Sequence, residues 1–207
     1  RRGNIVNLDA AVASIREAVE EAESAAGATV ESAFVGIAGT HIRGVNAQGG
    51  LTLGPHSREI TREDADRVVQ RAQRVSLPPD QQIVHVFPQE YLLDAQNGIH
   101  DPVGMVGRSL EVNVHLVTAS SAALQNVVAA ANRAGIYILG TVLEQMASSE
   151  SNLQDDDRGL GVALVDIGAR TAEIILYDQG LLRHTAAIPV GGDHFTNDLA
   201  VGLRTPI

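Results

Sequence analysis

The residues best suited to chemistry lie in one short segment, residues 165–173, between two apolar stretches. Asp166 ends a nearly continuous apolar run that is typical of a buried strand, and Gly168 follows two residues later. Glycine lets the backbone of a tight turn approach a ligand closely, and the N–H groups of such a turn form a concavity that binds anions. The segment therefore predicts a phosphate-binding loop, in which the Thr171 hydroxyl adds a further donor.

Two carboxylates flank this loop, Asp166 before it and Glu173 after it. Mg²⁺ prefers oxygen ligands and keeps several of its waters, so proteins commonly hold it through one or two carboxylates and the phosphates of a ligand. We therefore expect Asp166 and Glu173 to hold Mg²⁺ through water. From these residues alone, the alternative is an ordinary hairpin with an aspartate in its turn.

A pair of glycines, Gly191 and Gly192, stands immediately before a helical pattern and is followed by Asp193. Helix N-termini attract anions because their first N–H groups lack partners within the helix and the helix dipole is positive there. The pair is a second candidate for an anion contact, and the alternative is a plain N-terminal turn.

The elements that position these residues follow an α/β pattern. Apolar stretches over 161–166, 172–177 and 181–188 predict three antiparallel strands in a meander, with the first one buried in the middle of its sheet. Near the start of the chain, helical periodicity over 9–26 is followed by a strand over 30–39. Alternation of helix and strand indicates the α/β class.

The first helix is expected to begin at Asp9 as its N-cap and to stop at Gly27. Between the two strand regions lies a stretch that predicts a small αβ unit. Its elements are a glycine-rich, hairpin-like segment over 40–60, a helix that begins at Thr61 and ends at Pro78-Pro79, a strand over 83–93 whose Pro88 predicts an edge or a bulge, and a strand over 109–119.

The segment after this unit predicts a helix capped by Ser120 or Ser121 and closed by Gly135, and then a shorter helix over 141–151. An Asp-rich stretch then indicates a linker. We accordingly predict five parts: 1–41, the inserted unit 42–112, the return segment 113–151, the linker 152–160, and the part with the phosphate loop, 161–207.

Composition excludes several classes of function. The net charge is −10 and only 3% of residues are aromatic, so we expect no nucleic-acid binding, which favours basic surfaces and exposed aromatic rings. All 15 basic residues are Arg, and the absence of Lys excludes a Walker-type phosphate loop. There is no Cys, and the seven His show no metal-ligand spacing, so a thiolate or zinc site is not expected. We predict a cytoplasmic protein.

In order along the chain, these features resemble the actin/Hsp70 superfamily, which has a ribonuclease H-like fold, and within it the FtsA family of bacterial cell-division proteins. The superfamily resemblance rests on the order strand, DxGxxT loop, strand, turn, strand, Gly-Gly-Asp, helix. The FtsA resemblance rests on segments that span nearly the whole chain: FVGIAGTHI (34–42), HVFPQEY (85–91), VHLVTA (114–119), LEQMASS (143–149), RHTAAIPVGGD (183–193), TNDLA (196–200) and LRTP (203–206).

The resemblance implies an actin/Hsp70-like fold with an inserted small subdomain of the kind called 1C or SHS2. It implies an adaptor that binds ATP and Mg²⁺, forms filaments with itself, and links the ring protein FtsZ and other division proteins to the inner face of the cell membrane at the division site. Membrane attachment in the family uses a C-terminal amphipathic helix, which this sequence does not contain. The matching positions give Asp166, Gly168, Thr171, Gly191 and Gly192 as nucleotide-binding residues and Asp166 with Glu173 as the metal side.

The family usually has DIGGGTTD at the phosphate loop, whereas this chain has DIGARTAE. The departures, notably Ala169 and Arg170, lead us to expect weak ATPase activity or none. Two alternatives share the fold: a PilM-like pilus-assembly scaffold, which also carries an inserted subdomain, and a phosphotransferase of the sugar-kinase or acetate-kinase type. The phosphotransferase would need a general base on the substrate side of the cleft, for which the sequence offers only Asp166.

Overall fold

The computed structural model describes residues 4–206, in which helices and strands are mixed along the chain, as expected of the α/β class. The helices are α1 (Leu8–Ala26), α2 (Arg62–Ala72), α3 (Ser121–Ala134), α4 (Glu144–Asn152), α5 (Asp155–Leu160) and α6 (Gly192–Leu203). The strands are β1 (Ser32–Ile37), β2 (Arg43–Thr52), β3 (Arg58–Glu59), β4 (Gln81–Leu93), β5 (Gln96–Ile99), β6 (Val106–Gly107), β7 (Ser109–Ser120), β8 (Tyr137–Leu143), β9 (Val162–Ile167), β10 (Ala172–Asp178) and β11 (Leu181–Ile188).

The inserted unit is a four-stranded sheet in the order β2-β7-β4-β5 with α2 on one face. Its central strand β7 supplies a fully buried apolar row: Leu110, Val112, Val114 and Leu116. Helix α2 starts with a capping box between Thr61 and Asp64, as its sequence predicted. It lies so close to β2 that a Cβ on Gly49 would be 2.3 Å from the carbonyl oxygen of Val68.

The strands on either side of this unit belong to a separate pair, β1 and β8, which run parallel to each other. The side chains of Ile37 and Leu143 at the ends of these strands are buried in one apolar cluster. Helix α3 begins at its N-cap Ser120 and ends at Gly135, whose φ of 99° is the left-handed conformation that suits glycine. It packs against α1.

Strands β9, β10 and β11 form the antiparallel meander, in the order β11-β10-β9. A tight turn at Gln179 and Gly180, both with positive φ, joins the last two strands. Strand β9 is only half buried, and within residues 4–206 it pairs with β10 alone, so the expectation that it lies in the middle of its sheet does not hold for the part of the chain described.

Several local expectations were wrong. The glycine-rich stretch over 40–60 forms no hairpin: its long strand β2 pairs with β7 along its whole length, and its short strand β3 pairs with β6. The helix expected over 141–151 begins at Glu144, because residues before it belong to the parallel strand β8. The Asp-rich stretch expected as a linker contains the short helix α5.

Helix boundaries also differ from those expected. The N-cap of α1 is Asn7, whose side chain accepts the Ala10 N–H at 3.0 Å, rather than Asp9. Helix α2 ends at Ala72, before the prolines. The bulge expected at Pro88 is confirmed by a shift in the β4–β7 register between Pro88 and Glu90.

Candidate phosphate-binding site

The predicted phosphate loop is a tight connection between β9 and β10. The N–H of Gly168 donates to the Thr171 carbonyl oxygen at 2.9 Å, which closes the turn. Asp166 and Glu173 are directly opposite each other in the β9–β10 register, so the strand pairing itself brings the two predicted carboxylates together. Within the described residues, the backbone N–H groups of residues 169–171 have no backbone acceptor. Three successive free N–H groups in a turn are an anion-binding concavity.

The N-terminus of α6 is joined to this loop through the backbone. The N–H of Gly192 donates to the Gly168 carbonyl oxygen at 2.9 Å, and that of Asp193 donates to the Ala169 carbonyl oxygen at 2.7 Å. A Cβ on Gly191 would be 2.5 Å from the Gly168 oxygen, so only glycine permits this approach. The structure thus brings both predicted glycines to the loop, where they touch it directly; their contact with a nucleotide stays a prediction.

The two predicted acids have different surroundings. Asp166 is half buried and accepts a hydrogen bond from the Ser148 hydroxyl at 2.9 Å. Glu173 is 3% exposed and accepts the Gly39 N–H at 3.1 Å. Burial raises the pKa of Glu173, and the nearby Asp166 charge adds to that effect, while hydrogen bonds from Thr171 and Gly39 oppose it.

A third carboxylate, that of Glu144, interacts with Asp166 and Glu173, and it was not predicted from the sequence as a site residue. It is the first residue of α4, directly after the buried end of β8. Burial raises the pKa of Glu144, and the charges of Glu173 and Asp166 raise it further. The signal that could have found it is an acid at the junction of a parallel strand and a helix, where ligands of α/β sheets commonly bind.

Glu144 and Thr171 line a cleft of about 260 Å³ together with Gly36, Ala38 and His41. A Cβ on Gly36 would lie 2.8 Å from Cγ of Glu144, so glycine there leaves room for that side chain. Burial lowers the pKa of His41, which keeps its imidazole neutral at neutral pH. The cleft therefore presents a carboxylate, a hydroxyl and a neutral imidazole beside the phosphate loop.

The donor set fits a hydrated Mg²⁺. Burial, together with the nearby Asp166 charge, raises the pKa of both Glu173 and Glu144, and the Glu173 charge adds to the effect on Glu144; a divalent cation beside these acids would relieve the repulsion. Among residues 4–206, no three acids or histidines stand in direct metal-binding geometry. Coordination through water and through ligand phosphates agrees with both observations.

A buried polar contact, here called the seam, connects the inserted unit to β11. His115 on β7 is 0% exposed and its Nδ1 is 2.6 Å from Asn46 Oδ1, which can only accept. Nδ1 therefore carries the proton, and Nε2 accepts from the Thr185 hydroxyl at 3.0 Å. Burial, with a smaller effect of the His184 charge, lowers the pKa of His115 to about 4, so the ring is neutral.

Two further residues complete the seam. Gln89 on β4 donates from Nε2 to the Leu182 carbonyl oxygen at 2.8 Å. A Cβ on Gly44 would lie 2.7 Å from the Thr185 hydroxyl, so glycine lets β2 and β11 meet there. Sequence patterns could not reveal this contact, because its partners are about 70 residues apart along the chain.

The arrangement described above defines a protein of the actin-like fold. A parallel strand pair holds an inserted αβ unit, and a meander with the predicted phosphate loop follows. The helix after the meander is joined to that loop. The solved PilM–PilN type IV pilus biogenesis complex has this fold, with a TM-score of 0.67 at 17% identity over 100% of this chain and 55% of that one. The ethanolamine utilization protein EutJ from Carboxydothermus hydrogenoformans gives a TM-score of 0.50 at 17% identity, covering 100% of this chain and 45% of that one.

Comparison of sequences narrows the class. Residues 39–118 match the SHS2 domain inserted in FtsA, and residues 163–207 match the cell division protein FtsA. The cell division protein FtsA of Pseudomonas aeruginosa is 44% identical over 100% of this chain and 49% of its own length. The FtsA of Neisseria meningitidis is 40% identical over 100% of this chain and 50% of its own length. The FtsA of Bacillus subtilis is 38% identical over 99% of this chain and 47% of its own length.

The chain belongs to the FtsA family, and the resemblance seen in the sequence is confirmed. It spans about half the length of the curated relatives it matches. The fold class, an actin-like fold with an inserted SHS2 unit, is confirmed as well. Of the alternatives, the PilM-like scaffold shares only the fold, at 17% identity, so FtsA is better supported. No helix within residues 4–206 has the length and apolarity to cross a membrane.

Proposed function

We propose that the protein is a cell-division adaptor that binds ATP with Mg²⁺ and connects the FtsZ ring to the membrane at the division site. The observation that carries the proposal is the loop over residues 168–171, with its free N–H groups beside three carboxylates. That arrangement suits a polyphosphate with its metal ion. The named function of the relatives, cell division, supplies the biological context.

In this proposal, nucleotide acts as a conformational ligand more than as a substrate for turnover. Asp166 and Glu173 hold Mg²⁺ through water, with Glu144 as a third acid, while Gly168, Thr171 and the α6 N-terminus surround the phosphates. Mg²⁺ would neutralise phosphate charge when bound. Turnover is expected to be slow because Ala169 and Arg170 occupy positions where the family usually has glycine. The Cβ atoms of these two residues limit how closely the loop backbone can approach a phosphate group.

The inserted unit is proposed as the surface for partners and for contacts between copies in a filament. It has its own core, built on β7 and α2, and therefore presents a preformed surface. The PilM neighbour was solved in a PilM–PilN type IV pilus biogenesis complex, so a protein with this fold takes part in an assembly of several proteins. If crosslinking to FtsZ, to other division proteins and between copies is unchanged when residues 42–112 are removed, this role is wrong.

Titration of the protein with a fluorescent ATP analogue and Mg²⁺ tests nucleotide binding. The Asp166→Ala variant is expected to lose binding, because it removes one of the two acids proposed to hold Mg²⁺ through water. Asp156→Ala, an exposed change of the same charge in α5, is the matched control and is expected to bind normally. Equal binding by Asp166→Ala and the unchanged protein would refute the assignment of the site, and absence of binding by both would refute nucleotide binding itself.

A further inference from the structure

The phosphate loop carries a cation of its own, Arg170, within a strongly acidic surrounding. Asp166 and Glu173 flank the loop on paired strands, Glu144 interacts with the charges of both, and Asp193 stands at the first turn of α6. The negative charges of these four acids repel a nucleoside triphosphate that approaches the loop. The attraction for phosphate must then come from the free N–H groups of residues 169–171, from a bound metal ion, and from Arg170.

The guanidinium of Arg170 is engaged in an ion pair with Asp193, the second residue of α6. Its Nε donates to Asp193 Oδ2 at 2.8 Å, and the two side chains are 55% and 53% exposed. Ion pairs this exposed contribute little to stability, so the pair opens at small cost. The N–H of Asp193 is itself fixed to the Ala169 carbonyl oxygen at 2.7 Å, which keeps the carboxylate next to the loop.

We propose that Arg170 exchanges its partner on ligand binding: its guanidinium leaves Asp193 and binds a phosphate group of the nucleotide seated on the N–H groups of residues 169–171. Arg170 is thus a phosphate-binding residue, and the Asp193 carboxylate competes with phosphate for its guanidinium. A guanidinium suits this role because its planar fork matches phosphate oxygens and it stays charged. The inference rests on the nucleotide-binding function proposed above.

The exchange predicts effects of opposite sign for the two members of the pair. Arg170→Ala should weaken binding about tenfold, because it removes one charge-assisted contact to phosphate. Asp193→Asn should strengthen it about threefold, because it frees Arg170 and removes a repelling charge. Arg170→Lys, which keeps the charge but loses the fork, should be intermediate. A merely structural ion pair would weaken binding when either partner is removed.

The test measures the Kd of a fluorescent ATP analogue with Mg²⁺ on the intact protein, in the unchanged form and in these three variants. Arg183→Ala is the matched control, because Arg183 lies on the same sheet and pairs with Asp178, at the end of β10 opposite to the loop. It should bind as the unchanged protein does. The proposal is overturned if Arg170→Ala binds normally, or if Asp193→Asn weakens binding as much as Arg170→Ala. Failure of the unchanged protein to bind would instead overturn the proposed function together with this exchange.

Discussion

Replacing Thr185 with Val removes one hydroxyl from the seam and keeps the shape of the side chain. The hydroxyl donates to Nε2 of His115 at 3.0 Å, and the two residues are 2% and 0% exposed, so water cannot take its place in the folded protein. A buried acceptor left without a donor costs about 1–3 kcal/mol. We expect the variant to lose about 2 kcal/mol of unfolding free energy, equivalent to a fall in Tm of about 4–8 °C for a chain of this size.

Urea unfolding followed by circular dichroism measures this loss. Thr52→Val is the matched control, because Thr52 is exposed on β2 of the same inserted unit, and it should change the unfolding free energy by less than about 0.5 kcal/mol. A Thr185→Val variant as stable as the unchanged protein would refute the assigned proton positions, since Nε2 of His115 would then not depend on this hydroxyl. In a His115→Gln background the substitution at 185 should cost less, because the imidazole acceptor is already gone.

Two more predictions concern the same region and the loop. The folded pKa of His115, about 4, lies below the ordinary value of 6.5, so its contribution to stability is present above pH 6.5 and is lost as the pH falls toward 4. Over that window the unchanged protein should lose about 3 kcal/mol more unfolding free energy than the His115→Gln variant. Parallel curves of unfolding free energy against pH for the two proteins would contradict this. Gly191→Ala should lower stability by about 1–3 kcal/mol in thermal denaturation and weaken nucleotide binding, because the new Cβ would lie 2.5–2.7 Å from the backbone of the loop. Gly202→Ala in the same helix, where a Cβ meets nothing within 4 Å, should instead stabilise the protein slightly, and equal effects at the two positions would exclude the close contact as the cause.

Local chemistry allowed the tight turn between β9 and β10, at the predicted phosphate loop, and the meander to be predicted from sequence. Asp166, Gly168 and Thr171 lie within six residues, and the strands beside them are apolar with clear turn residues between β10 and β11. The capping box of α2 is likewise a pattern within four residues. Such signals depend on neighbours in the chain, so a single sequence displays them.

Features that depend on distant contacts or lack turn residues were missed. Strand β8 passes directly into α4 with no side-chain hydrogen bond at the N-cap Leu143, so no polar residue marked the boundary, and Glu144 was hidden with it. The short helix α5 forms in a stretch whose composition favours a linker, because Asp157 accepts the Gln154 N–H at 3.0 Å and Arg158 pairs with Glu150. The seam escaped notice because its partners come from separate sheets.

The seam limits how freely the inserted unit can be exchanged between related proteins. A donor unit grafted between β1 and α3 would have to bring a buried acceptor for the Thr185 hydroxyl, an amide to meet the Leu182 carbonyl, and a residue without a side chain at position 44. Each unmet requirement would leave a buried polar group unpaired or force β11 away from the unit. Because the open end of the β10–β11 hairpin, at Ala172 and Ile188, adjoins the predicted phosphate loop, a poorly matched graft should disturb ligand binding at a distance from the graft itself.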